Sequence, residues 1–235
     1  MILFLLICPM TLITYCQTTD SETFDKVLKQ LDLNKSDCHP DLLVSEIMPY
    51  AHEKSVLVIP VIMEKTEDSY KCDSYILIIN NETGEILNKF YESNALISDA
   101  ISITQISIDF APYKLNSKIR AFGIRVKYEG HSSPNPYENE ELSLFVPKDS
   151  VLIRILKNFS ISSDGGEWDT NCEGQFTSEK KTLIMSDKAV NNFCDIIVKT
   201  KIISTKKTKV NGDCIDKETS LNNTSILHYN NVEYK

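Results

Sequence analysis

The sequence lacks every short motif that would announce a reaction. It holds no G-x-S-x-G nucleophile elbow, no G-x-x-x-x-G-K-[ST] phosphate loop, no H-E-x-x-H zinc helix and no dinucleotide-binding fingerprint. The four histidines, His39, His52, His131 and His228, are scattered singly, so a histidine-based metal or acid–base site would need a fold that happens to bring them together. Seven cysteines are present but no C-x-x-C pair, which removes the usual ligand spacing of a structural zinc site. Positive charge is also in short supply. A formal net charge of −8 opposes the counterion release on which nucleic-acid binding depends, and it gives anionic membranes no overall attraction. The one basic run, residues 199–209, alternates lysine with threonine and isoleucine and reads as a solvated strand face.

What remains is an ordinary globular composition, 42% apolar and 25% charged, in a chain long enough for one substantial core. Residues 1–15, MILFLLICPMTLITY, give way at once to the polar CQTTDSETFD, the pattern of a secretory signal. The apolar run is shorter than the ~20 residues that a permanent span needs, and no Lys or Arg precedes it. Cys16, followed by Gln17, stands where a bacterial lipoprotein carries its acylated cysteine, although Tyr15 before it is bulkier than that processing favours. The reading divides the chain into a signal peptide at 1–16, lipoprotein-type if Cys16 is acylated, and a segment with a short helix at 17–54. A β domain at 55–210 and a polar tail at 211–235, ordered in part, complete it.

Five cysteines lie beyond the signal: Cys38, Cys72, Cys172, Cys194 and Cys214. An oxidising compartment would join four of them and leave one thiol. The expected bridge is Cys172–Cys194, because both border apolar runs that a meander would lay side by side; Cys38–Cys72 is the second choice.

Strand patterns dominate the rest. Phe24, Val27, Leu28 and Leu31 have the spacing of a short amphipathic helix, and no sustained helical period follows it. The run SVLVIPVIM at 55–63 is either buried on both faces or interrupted at Pro60 by an edge or bulge. Residues 73–92 read as a hairpin turning at Gly84, which supplies a positive φ. AISITQISI, IRAFGIRVKY, the pair LSLFV and VLIRIL, and two later runs alternate or cluster as strands. Short strands that must each bury a face predict a mainly β fold, an antiparallel meander closed as a sandwich or barrel, with one short N-terminal helix. A small β-propeller is the alternative, since two of the hairpins resemble one another.

Chemistry is most concentrated in DGGEWDTNCEG, residues 164–174, which holds four carboxylates, three glycines and the only tryptophan. It does not fit the alternate-oxygen pattern of a helix–loop–helix calcium site. A looser divalent-cation site would use Asp164, Glu167 and Asp169, with Gly165 and Gly166 curling the backbone. Paired-carboxylate hydrolysis would use the same acids. The plainer reading is a Gly-Gly turn with Trp168 packed down as a plug, acids in water and Cys172 tying the far end. A second notable segment, GHSSPNPYENEE at 130–141, is a proline-rich loop opening with His131 and containing Tyr137, the sort of loop on which binding usually resides.

The segments SDAISITQISIDFAPY, RAFGIRVKYEG, SSPNPY, ELSLF and GEWDTNCEG resemble those of an uncharacterised family of exported bacterial proteins often described as lipoproteins. The resemblance runs from about residue 55 to 199, implies export to the periplasm or outer membrane of a Gram-negative cell, and brings no established activity with it. It singles out Arg120, Arg125 and Tyr137, which lie in its most family-like segments. Two functions follow as expectations. One is a protein-binding module, inhibitor-like or immunity-like, whose acidity suits a basic protein partner, with membrane attachment only through a lipid anchor. The other is a hydrolase working through the carboxylates, with or without a divalent cation as its only cofactor.

Overall fold

The computed structural model describes residues 21–235; the expected signal peptide and Cys16 lie outside the described residues. One helix, α1 (Ser21–Leu31), precedes eleven strands: β1 (Val44–Met48), β2 (Ala51–Lys65), β3 (Tyr70–Asn80), β4 (Ile86–Ser98), β5 (Ile101–Asp109), β6 (Phe122–Gly130), β7 (Tyr137–Lys148), β8 (Val151–Trp168), β9 (Gly174–Val190), β10 (Phe193–Val210) and β11 (Asp213–Leu227). The protein is mainly β with one short helix, as the patterning predicts.

The strands pair in the order β1-β2-β3-β4-β8-β7-β6-β5, and β5 comes round against β1, so eight strands form a nearly closed barrel. Two antiparallel meanders make it, β1–β4 and β5–β8, joined by one parallel bridge, Lys89 to Val151. Side chains hold that seam: Asn88 donates to the Asp149 carbonyl at 2.7 Å, and Arg154 donates to Glu92 at 2.9 Å. The propeller alternative does not hold, because the strands share one sheet and are not grouped into blades.

Strand alternation sorts the apolar residues into three cores. Val56, Val58, Ile76, Ile78, Ile124, Phe122 and Phe145 fill the barrel. Leu57, Ile59, Leu77 and Ile79 point outward and are covered by Phe24, Val27 and Leu28 of α1. This explains the unbroken apolar run of β2, buried on both faces around Pro60. The third core lies outside β7 and β8, where Leu142, Leu144 and Ile155 meet Ile196 and Val198 of β10 and Tyr234 near the C-terminus.

β8 is longer than the barrel needs. Its second half, residues 162–168, pairs with β9, and β9, β10 and β11 extend the sheet as long antiparallel ribbons. The strands therefore reach beyond the 55–210 expectation at both ends. Most of the segment read as a partly ordered tail, Asp213–Leu227, is a strand paired to β10 throughout. Its cause is visible in the residues: Asn211 and Gly212 both have positive φ (53° and 95°), the two-residue hairpin turn that Asn-Gly favours above other sequences.

Candidate functional site

The far end of the long ribbons gathers the two segments singled out in the sequence. Gly165 and Gly166 do not form a turn; they lie within β8, and the reversal falls instead at residues 169–173. There Asp169 organises the turn. Its Oδ1 accepts the backbone N–H of Asn171, Cys172 and Glu173 at 2.8–2.9 Å, and these donors hold its carboxyl below the usual carboxylate range. The glycines serve close approach. A Cβ on Gly174 would fall 2.4 Å from Trp168 Cβ, and one on Gly166 would fall 2.5 Å from the ring of Phe176. Trp168 can therefore lie beside Phe176 edge-on, ring centroids 6.1 Å apart.

Trp168 also fastens the proline-rich loop. Its indole N–H donates to the Ser133 carbonyl at 2.6 Å and its backbone N–H to the Pro134 carbonyl at 3.0 Å, while Gly166 N–H donates to the Pro136 carbonyl at 3.2 Å. Proline has no N–H to offer, but its carbonyl accepts as any other does, so the loop docks along β8 as an irregular edge. Tyr137 then sits opposite Gly165, 38% exposed. Over this junction opens a groove of about 1020 Å³, lined among others by Tyr137, Asp164, Gly165, Glu167, Glu173 and Lys206.

A disulfide, Cys172–Cys214, ties the β8–β9 turn to the start of β11. The expected Cys172–Cys194 bridge is corrected. Cys194 lies at the opposite end of the β9–β10 hairpin from Cys172, and a strand of this length separates them by roughly 50 Å. Cys38 and Cys72 are likewise free, because they belong to different cores, one beneath α1 and the other inside the barrel. Burial pushes the Cys72 thiol up to about 11 and raises Cys38 as well, so both are buried, protonated side chains at neutral pH.

Arg125, Arg120 and His131 do not join the groove, and the three expected metal-site acids do not converge within it. Arg125 holds Asp109 through Nε and Nη2, at 2.9 and 2.7 Å, and reaches Glu140 at 3.3 Å. Burial alone would raise the Asp109 carboxyl; the Tyr113 hydroxyl, the Ala111 amide and Arg125 outweigh it and hold the group below its ordinary value. Arg120 lies over the Tyr50 ring, 4.2 Å from its centre, and donates to the Phe110 carbonyl. His131 Nε2 is 2.7 Å from the Ser102 hydroxyl. Asp164 and Glu167, three positions apart on a regular strand, face opposite sides of the sheet, and Asp169 is engaged by amides. Among the described residues no three His, Cys, Asp or Glu side chains are grouped as metal ligands would be.

Sequence reasoning missed the contributions of Phe176, Lys206 and Cys214. The Asn-Gly dipeptide was the available signal for the last of these, since a hairpin there brings Cys214 to the same end as Cys172. No family model, characterised protein or solved structure matches this chain.

Proposed function

We propose that this is an exported protein-binding module of the cell envelope, inhibitor-like or immunity-like, and that the ribbon tip is its binding surface. The observation that carries this reading is the docking of the proline-rich loop onto β8 through Trp168, with the Cys172–Cys214 bridge fixing the turn beside it. A loop and a turn held by backbone hydrogen bonds and a crosslink lose little conformational freedom on binding, which favours affinity. Tyr137 offers an exposed aromatic anchor, and Asp164, Glu167 and Glu173 supply the acidic surround that would steer a basic protein.

Asp164 and Glu167 alternate across β8, so these two acids of the hydrolase reading do not face one another. The test is retention of proteins from an envelope extract on the immobilised chain, compared with Trp168→Ala. The reading expects a basic protein to be retained by the native chain and lost with the variant. Equal retention by both would overturn it, as would a hydrolytic turnover abolished by alanine at Asp164, Glu167 and Asp169.

A further inference from the structure

We propose that the outer face of the β9–β10–β11 sheet, at the end away from the ribbon tip, docks on anionic lipid headgroups. Register defines this face. Ile184, Ile197 and Ile226 lie directly opposite one another across the three strands, and Ile184 and Ile226 are 38% and 50% exposed. Two residues toward the tip the row reads Thr182, Lys199, Thr224, and two further on Lys180, Lys201, Asn222. All three lysines are exposed, and among the described residues none is assigned an ion-pair partner.

The other face of the same strands is accounted for. Lys181, Leu183, Met185, Ile196 and Val198 turn toward the barrel wall, where Lys181 lies over the Phe159 ring and donates to the Ser160 carbonyl at 3.0 Å. Toward the tip the exposed face is partnered, with Lys207 paired to Asp216 at 3.3 Å and lying over the Phe176 ring; the isoleucine row and the three lysines have no such account. Like charges directly opposite, as Lys180 and Lys201 are, repel one another across a sheet. Three aligned isoleucines gain nothing from water. Side by side, the two features match a bilayer interface, where apolar side chains enter the acyl boundary and ammonium groups stay among the phosphates. The face presents no guanidinium, so it lacks the planar fork that fixes a carboxylate of an acidic protein. Point charges beside an apolar row suit a fluid anionic layer better.

The test is co-sedimentation of the full chain with vesicles of phosphatidylcholine alone and of an equal mixture with phosphatidylglycerol. The readout is the ratio of the two partition coefficients, in which any apolar attachment common to both cancels. Three lysines at the surface predict a ratio of roughly a hundred at low salt, falling steeply as salt is added. The triple variant Lys180→Glu, Lys199→Glu, Lys201→Glu should bring the ratio to about one with thermal unfolding unchanged, whereas Lys89→Glu, on β4, should leave it as it was. A native ratio near one, or a folded triple variant with the native ratio, would overturn the proposal. So would retention on polyglutamate without any vesicle preference, which would assign the face to an acidic protein.

Discussion

At the scale of single residues, carboxylates here act through the hydrogen bonds they accept. Asp169 needs an acceptor oxygen and not a charge, so Asp169→Asn should keep the tip intact while Asp169→Ala frees three amides and loosens it. Hydrogen exchange of residues 170–173 reads the difference: near-native protection in the first variant, at least tenfold faster exchange in the second. Arg125 has the converse role, since its charge neutralises a half-buried carboxylate. Removing it as Arg125→Ala should destabilise the fold by about 2 kcal/mol, below the ~3–5 kcal/mol of a fully buried pair because the guanidinium is one-third exposed. The pH dependence follows from the depressed carboxyl of Asp109. Its stabilisation is present above the unfolded carboxyl value of about 4 and is lost as pH falls through the lower folded value. Without Arg125, burial acts with less opposition and protonation relieves the variant. The stability gap between native and variant chains, measured by denaturant unfolding, should therefore narrow from pH 7 to pH 3.

Elements were legible where a single period governs them. Phe24, Val27, Leu28 and Leu31 marked α1, alternation marked β5 and β6, and the unbroken apolar run marked β2, which is buried on both faces. The ribbons were harder to read. β11 buries almost nothing, so Asp213–Leu227 has no apolar alternation to detect, and only the Asn-Gly turn before it betrays the strand. The same blind spot misassigned the disulfide, since without β11 Cys214 had no fixed place. The observed bridge closes 42 residues and, by the chain-entropy relation, contributes about 4 kcal/mol against unfolding. The double variant Cys172→Ser, Cys214→Ser should lose stability of that order and, on the proposed function, retain a basic protein more weakly through a loosened turn. Thermal unfolding with and without reductant measures the first effect, and only the native chain should respond to reductant.

On the scale of the whole molecule, the barrel is a platform and the ribbons are what it presents. Its interior is filled by side chains such as Phe122 and Phe145, both fully buried, so the exposed grooves lie outside it. The sequence showed which two segments were unusual but not that they touch. Contact between residues 133–136 and Trp168 depends on the length of β8 beyond the barrel, and strand length beyond a core leaves no apolar signature. The measurement that bears most directly on the proposed binding is hydrogen exchange of the native chain with and without a basic protein retained from the envelope extract. The account predicts new protection in residues 131–137 and 164–175 and little change in β1–β4. Protection confined to β1–β4, or none at the ribbon tip, would contradict it.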